Sequence, residues 1–391
     1  MFVNLYMGIG DIANGRNGDK KEERGFRNTF ITYVDKLVQV LDKGITVVII
    51  FYEVHNQYFA FGVYVHFFAA QRPGATFLLI PPTARATAMA YAYTAIADDA
   101  SANYYNAAGL VFLESPSFTA SYFTYLTGLH PDMHYFYFGA AYPLMKSAWG
   151  FDFIYYTLEN IRLVDEQGVY LDERLIWRIA PKISYARRLS SKIALGISWK
   201  FIKQQYGLWH PWELVDGYSE GTGSSWAFDV GFLCNVLPNL TIGSVLHNAG
   251  PSIKYKEEVS FPYYPSRNSP LPWLYRLGLS YKPIDSRYVS LIVSAELTKI
   301  LIGMFADEEK TFWENVKYEF DEAWKGIGLE WTIYDLLSLR GGYFYDSEGA
   351  RDGFTFGGGV HFKGLAFDIG IDENIFDFVT QNRKISLSYT F

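Results

Sequence analysis

Two adjacent carboxylates, Asp98 and Asp99, are the residues whose types and spacing most directly suggest chemistry. Such a pair could share a proton for acid–base catalysis or help to bind calcium. Neighbouring side chains on a strand point to opposite faces, however, and the other spaced oxygen ligands of a calcium loop are absent. We therefore expect the pair to cap a turn and to form ion pairs with basic residues. The candidate partners are Arg85, Arg178, Lys182 and Arg340.

Other catalytic and metal-binding patterns are weaker. Among the seven histidines, only His130 and His134 lie close together, and Pro131 between them indicates a turn rather than a zinc-binding helix. The single cysteine, Cys234, excludes an internal disulfide and a cysteine-based metal cage. No nucleophile elbow, phosphate-binding loop or CxxC pair is present. The sequence predicts no enzyme, no metal and no cofactor, while a catalytic pair assembled from distant residues stays an open alternative.

The amino-acid composition indicates the fold class that must position these residues. Aromatic residues make up 18% of the chain and charged residues 19%, below the usual quarter. No run of 18 or more apolar residues suggests a spanning helix. These features favour a transmembrane β-barrel, with a large soluble β-sandwich or propeller as the alternative. The net charge is −7 without a basic block, so nucleic acid is not an expected partner.

Alternating side chains predict the strands. In residues 193–201, 226–232, 365–371 and 382–391, large apolar residues alternate with small or polar ones, as expected for strands with lipid outside and a polar lumen inside. We predict an all-β fold: an antiparallel transmembrane β-barrel of about 14 strands in residues 117–391, with an N-terminal plug in residues 71–116. The predicted strands are 117–127, 133–143, 148–158, 174–187, 192–206, 223–235, 239–249, 273–283, 287–300, 323–334, 336–346, 353–363, 364–372 and 382–391.

The first 70 residues differ from the rest. Residues 1–44 are polar and show no alternation, so we predict a disordered or non-native extension. Residues 45–70 are apolar and end in small residues, which indicates a possible signal region; a short membrane-associated or buried helix is the alternative.

Three segments carry a resemblance to a known family: GATFLLIPPTARA at residues 74–86, ADDA at 97–100 and YNAAGL at 105–110. They resemble the N-terminal signature of the PorV/PorQ family, which is related to the FadL channels for hydrophobic compounds. Fainter similarity continues to residue 391, for example in YARRL at 185–189 and LHNAG at 246–250. The family usually has glycine where this chain has Ala88, Ala90 and Tyr91, and proline where it has Ala107.

The resemblance implies a bacterial outer-membrane barrel whose leading segment folds into the lumen as a plug. The predicted plug residues are Arg85, Asp98, Asp99, Asn103, Tyr105, Asn106 and Gly109. The implied function is transport of hydrophobic compounds. The alternative is a non-enzymatic role in type IX secretion, in which the barrel binds or shuttles exported proteins that carry a C-terminal sorting domain.

The long connections are expected outside the cell. Aromatic residues in them could form an apolar pocket at the mouth for a long-chain hydrophobic ligand. These residues are Trp209, Trp212, Phe261, Tyr263, Tyr264 and Trp273. The acidic connection 301–322 predicts a short surface helix. Phe391, which ends the last strand, resembles the signal read by the barrel-assembly machinery, so that machinery and membrane lipid are expected partners.

Overall fold

The computed structural model describes residues 45–54, 58–67, 73–128, 132–164, 170–206, 221–256, 268–302, 312–347, 349–375, 380 and 382–391. The chain forms two compact units, Met1–Ala70 and Gln71–Phe391. In the first unit, β1 (Ile45–Val54) and β2 (Tyr58–Phe67) pair antiparallel. The abundance of Ile, Val, Phe and Tyr in both segments favours strands. The helix considered for this region is therefore wrong, and its assignment as a signal region stays a prediction.

In the second unit, the described residues contain sixteen strands, fourteen of which close into one antiparallel barrel. In chain order, the strands are β3 (Ser117–Thr124), β4 (Met133–Pro143), β5 (Ser147–Val164), β6 (Tyr170–Arg188), β7 (Ile193–Tyr206), β8 (Gly221–Leu237), β9 (Leu240–Ala249), β10 (Ile253–Lys256), β11 (Asn268–Ser269), β12 (Leu274–Asp285), β13 (Val289–Ile300), β14 (Trp324–Ile333), β15 (Leu337–Asp346), β16 (Arg351–Phe362), β17 (Leu365–Ile371) and β18 (Arg383–Thr390). Each strand pairs with its sequence neighbour, except that β9 pairs with β12 and that β10 and β11 extend from β8 beside the ring. The last strand pairs with the first along the register Ile385↔Tyr122 to Thr390↔Ser117. The predicted all-β barrel of about 14 strands is confirmed.

The connection between β5 and β6 is shorter than predicted. Residues 159–173 were expected to be a loop, but β5 continues to Val164 and β6 begins at Tyr170. Their added ends pair with each other, for example Ile161 with Arg174. The stretch is rich in charged residues, and its pairing resumes after a register shift between Leu158 and Ile161.

The strands present apolar side chains outward and small or polar ones inward. In β7, Leu195 and Trp199 are 41% and 45% exposed, whereas Ala194 and Ser198 are 0% and 2% exposed. β18 shows the same pattern, with Ile385 and Leu387 outward. An outer wall of this kind requires lipid around it.

An inner segment, residues 75–113, lies within the barrel. It contains a 3₁₀ helix (Thr76–Leu79), α1 (Ala84–Ala88), α2 (Ala102–Tyr105) and a second 3₁₀ helix (Ala107–Phe112). Helix α1 contacts β15 to β18, while the second 3₁₀ helix contacts β4 to β8 on the opposite side of the ring. The alanines of the inner segment are almost completely buried. Because alanine is small, the backbone of the inner segment can pack closely against the wall.

Helix α3 (Phe312–Glu322) lies between β13 and β14, which confirms the helix predicted in the acidic connection. None of the described helices is both long enough and apolar enough to cross a membrane.

Candidate functional site

The inner segment follows a ring of glycines on the inner face of the wall. A Cβ added at any of them would come within 3.1 Å of an atom of the inner segment, so glycine permits the close approach of the two backbones. The ring consists of Gly139, Gly150, Gly196, Gly231, Gly243, Gly278, Gly326, Gly328, Gly342, Gly357 and Gly370.

Arg85 is the main charged contact between the inner segment and the wall. Its Nε and Nη2 donate to the two carboxylate oxygens of Glu330 on β14, at 2.7 and 2.8 Å. Its Nη1 also donates to Asp98 at 2.6 Å. Glu330 in turn accepts from Arg340 on β15, whose Nη1 pairs with Asp368 on β17 at 2.6 Å. The result is a line of alternating charges from the inner segment to three strands.

The predicted turn at Asp98 and Asp99 is present. Asp99 Oδ1 accepts from the backbone N–H of Ser101 at 2.8 Å, and its Oδ2 accepts from the Tyr93 hydroxyl, also at 2.8 Å. Burial raises the pKa of Asp99, although Arg85, 3.6 Å away, acts in the opposite direction. Burial would by itself lower the pKa of Arg85, but Asp98 and Glu330 hold it well above its ordinary value, so this guanidinium stays charged.

The other predicted plug residues lie farther along the inner segment. Asn103 donates to the carbonyls of Ala100 and Ala140, at 2.9 and 2.8 Å. Asn106 donates to the carbonyls of Thr94 and Phe232, both at 3.0 Å. Each asparagine therefore ties the inner segment to itself and to a wall strand.

Tyr105 and Gly109 make contacts inside the inner segment. The Tyr105 hydroxyl is 3.2 Å from the Thr83 hydroxyl, and a Cβ at Gly109 would collide with Ala97. The structure therefore places all seven predicted plug residues in the lumen, where Arg85, Asp98 and Asp99 meet and the remaining four lie apart from them.

Three predicted partners of the carboxylate pair act elsewhere. Lys182 pairs with Asp152 at 3.0 Å and donates to the carbonyl of Asn103 at 2.5 Å. Arg340 serves Glu330 and Asp368, and the guanidinium of Arg178 lies over the Tyr156 ring. Of the four candidates, Arg85 is the one placed beside Asp98 and Asp99.

Glu296 is a functional candidate that the sequence reasoning missed. Its Oε2 accepts from the backbone N–H groups of Tyr93 and Thr94, at 2.9 and 2.8 Å. Glu330 was missed in the same way. Alternation could have placed Glu330 inside, since Ile327, Leu329 and Trp331 point outward.

Two residues where the family has glycine adopt left-handed backbone conformations. The φ angles of Ala90 and Tyr91 are 50° and 65°. A non-glycine residue there costs about 1–2 kcal/mol. Side chains on the wall hold the turn, since Ala90 N donates to the Thr355 hydroxyl at 3.0 Å and the Tyr91 hydroxyl donates to Asp372 at 2.5 Å. Glycine, which the resemblance implies at these two positions, would adopt the same angles without that cost.

A cavity of about 220 Å³ lies between the inner segment and the loop ends of the strands. Tyr91, Tyr125, Trp324 and Phe344 give it aromatic walls. Arg276 lines it as well; this residue is 3% exposed, and its Nη1 lies 3.9 Å from Glu296 Oε1. Three further charged residues belong to the lining, namely Arg351, Asp372 and Lys384. The cavity therefore combines aromatic surface with charged groups and suits an aromatic molecule that carries a polar group.

A second cavity of about 300 Å³ lies on the turn side of the inner segment, where Ser117 begins β3 and Thr390 ends β18. Ala95, Ile96 and Ala97 form part of its wall. In the inner segment, Ala90 and Tyr91 line the first cavity and Ala95 to Ala97 line the second. Tyr93 and Thr94, which are bonded to Glu296, connect these two stretches.

Trp273, the predicted mouth residue that lies within the described part of the chain, does not line the cavity at the loop end. It is 40% exposed and donates to the Gly250 carbonyl at 3.2 Å. The other five fall outside the described residues. Phe391 is 72% exposed with its ring 4.9 Å from that of Tyr389, and its role in barrel assembly stays a prediction.

Comparisons with known proteins agree with this architecture. Two structures of similar fold are the Pseudomonas putida toluene transporter TodX (12% identity, 78% of this chain and 95% of that chain, TM-score 0.50) and a chain titled TodX deltaS2S3 mutant monoaromatic hydrocarbon channel (14%, 79% and 99%, 0.54). A Pseudomonas aeruginosa FadL homologue matches with 13% identity over 80% of this chain and 99% of that chain, with a TM-score of 0.45. A search of curated protein sequences found no match.

A family profile described as "Type IX secretion system protein PorV" matches residues 68–307, more than half of the chain. The match covers the inner segment and the first nine of the fourteen ring strands, which are β3 to β9, β12 and β13. The chain therefore belongs to the PorV family and is a bacterial outer-membrane β-barrel protein.

Proposed function

We propose that this barrel moves hydrophobic small molecules across the outer membrane, with the loop-side cavity as their first binding site. The observation that carries the proposal is the aromatic cavity of about 220 Å³ at the loop end of the lumen. The cavity on the opposite side of the inner segment gives a second stopping point. The toluene transporter with a similar fold supports this choice of cargo. In this proposal the barrel is a conduit and catalyses no reaction.

The inner segment acts as the plug between the two cavities. A molecule passing from one to the other must displace the stretch around Tyr93 and Thr94, whose backbone N–H groups donate to Glu296. Because both backbone N–H groups are buried, they would need new acceptors after such a movement. The closed state is therefore the stable one, and a bound ligand must favour the open state to permit passage.

Ligand binding by purified protein tests the proposal. A fluorescent polycyclic aromatic amine is titrated into the wild type and into Trp324→Ala and Phe344→Ala. Removing either ring should weaken binding about 10-fold, since 1.4 kcal/mol corresponds to a factor of ten. Trp331→Ala is the matched control because this ring, 43% exposed, faces the lipid. Equal affinity in all four proteins would contradict the assignment of the cavity.

The family match favours a second candidate, a role in type IX secretion. Here the barrel binds or shuttles exported proteins with a C-terminal sorting domain at the cell surface, and its loop end supplies the docking surface. Pull-down from outer membranes, combined with lipid and small-molecule analysis of the purified barrel, separates the candidates. Co-purified exported proteins with an empty lumen would favour secretion, whereas a bound hydrophobic compound would favour transport.

A further inference from the structure

Helix α3 lies against the outer surface of the barrel at its loop end. Side chains alternate along β13, and Glu296 and Thr298 point inward. Leu297 and Lys299 therefore point outward. Lys299 Nζ pairs with Glu319 at 2.6 Å and with Glu322 at 3.0 Å, and both glutamates belong to α3. The C-terminal turns of the helix therefore lie on the outer side of the rim, beside the end of β13 and the start of β14.

A second outward lysine holds the end of the helix. Lys325 Nζ donates to the carbonyls of Asp321 and Ala323, at 3.0 and 3.1 Å. A cation at this position also compensates the partial negative charge of a helix C-terminus. The same ammonium lies 5.0 Å from the centre of the Phe320 ring, which places that ring on the outer side of the rim.

The opposite face of α3, which points away from the wall, carries exposed Trp313 and Phe320 on one flank and the charged residues Glu314, Lys317 and Asp321 beside them. Trp313 and Phe320, seven residues apart and thus on one face, are 75% and 55% exposed. Asn315 and Glu319 on the wall side are 8% and 9% exposed. Lys317 is exposed on the same outer face as the two aromatic residues.

The height of the helix matches the upper edge of the lipid-facing belt. On β14, Lys325 is followed on the outward face by Ile327, Leu329 and Trp331, which are 60%, 44% and 43% exposed. The lysine thus marks the boundary between the apolar belt and water, where Lys, Trp and Tyr are enriched. The exposed face of α3 continues the belt at this boundary.

We propose that α3 is an interfacial helix that inserts Trp313 and Phe320 into the headgroup layer of the outer leaflet. Lys317 on the same face is placed to meet lipid phosphates. The occupant of this surface is therefore the membrane that the barrel spans, and the inference holds for either function proposed above. Such a helix lies in the plane of the interface and anchors the rim of the barrel there.

Depth-dependent quenching tests the proposal. In a Cys234→Ser background, single cysteines replace Trp313 or Phe320 and carry an environment-sensitive fluorophore. The full chain is reconstituted in phosphatidylcholine and phosphatidylglycerol vesicles that contain lipids spin-labelled either near the headgroup or near the chain end. Ile327→Cys is the lipid-facing reference. Ala350→Cys, at the exposed hairpin tip between β15 and β16, is the water-facing reference at the same end.

The headgroup spin label should quench each α3 label at least about half as strongly as it quenches the Ile327 label. The chain-end spin label should quench the α3 labels less than the headgroup spin label does. Two results would overturn the proposal. One is iodide access and lipid quenching equal to those of the Ala350 label. The other is protection from both quenchers, which would show that a protein or a second copy covers the helix. Because each label leaves the other aromatic residue in place, one poorly folding variant does not decide the outcome.

Discussion

The two halves of the inner segment are fixed to the same wall by different forces. Residues 84–99 carry Arg85, Asp98 and Asp99, and their main wall contact is the ion pair with Glu330. Residues 100–113 contain no charged side chain; the amides of Asn103 and Asn106 bond to the wall, and two charged wall residues, Lys182 and Arg188, donate to the carbonyls of Asn103 and Val111. Both halves pack closely against the glycine ring, but the first is tied to the wall by an ion pair of its own side chain and the second by several separate hydrogen bonds of its amides and carbonyls. One change can therefore release the first half, while the second should loosen only in small steps.

Removal of Arg85 is expected to have the largest effect. Arg85→Met leaves Asp98 and Asp99 without their cation and takes two hydrogen bonds from Glu330. Losing one partner of a buried ion pair costs about 3–5 kcal/mol, which corresponds to about two to three and a half decades in the open population. Single-channel conductance in planar bilayers and antibiotic sensitivity of cells measure that population.

Arg287→Met is the matched control for that experiment, since Arg287 is exposed in the turn between β12 and β13. The control should behave as the wild type in both measurements. Should Arg85→Met show wild-type conductance while the barrel is folded, the charged contact would not hold the plug, and the contrast between the two halves would fail.

The second largest effect should follow from crowding the neutral half. A Cβ at Gly196 would collide with the backbone N of Ala108 and come 2.6 Å from the carbonyl carbon of Ala107. Gly196→Ala should therefore cost about 1–3 kcal/mol, as overpacking does. In Gly341→Ala, by contrast, the nearest atom is 3.9 Å from the added Cβ. Thermal unfolding, measured by the change in gel mobility on heating, should show lower stability for Gly196→Ala than for Gly341→Ala. Equal stability of the two variants would show that the glycine ring does not limit packing.

A smaller effect is expected from Asn106→Ala. The change removes donors from the carbonyls of Thr94 and Phe232 and an acceptor from Ala108 N–H. Leaving such buried groups unpaired costs about 1–3 kcal/mol, with the low end expected where the neighbouring contacts remain. Hydrogen exchange of the inner segment measures the loosening. A change confined to residues near position 106 would support stepwise release of the neutral half, and release of the whole segment would contradict it.

The sequence predicted those features that depend on local spacing. Alternation of outward Leu195 and Trp199 with inward Ala194 and Ser198 is a property of any strand with lipid on one side. The pairing of Arg85 with Asp98 joins residues 13 positions apart within one segment. Both follow from the chain near each residue, so they needed no knowledge of which strands face each other.

Features that depend on distant pairing could not be predicted. Glu330 lies 245 positions from Arg85, and Glu296 lies 203 positions from Tyr93. Alternation places both glutamates inside, but it gives neither their height in the lumen nor the strand opposite them. The plug contact therefore depends on the register of the whole barrel, which one sequence does not contain.

The smallest effects should separate the two carboxylates. Asp98 is 48% exposed on its side chain, so Asp98→Asn should cost between about 0 and 1 kcal/mol, as for a surface ion pair. Asp99 accepts from Ser101 N–H and from the Tyr93 hydroxyl, so Asp99→Ala should loosen the turn and raise passive permeability more than Asp98→Asn does. Asp99→Asn should lie between them, because burial raises the pKa of Asp99 and so favours a neutral group there. Dye uptake by proteoliposomes ranks the three variants. If Asp98→Asn had the largest effect, the charged half would be held by its exposed carboxylate, and the turn at Asp99 would contribute little to closure.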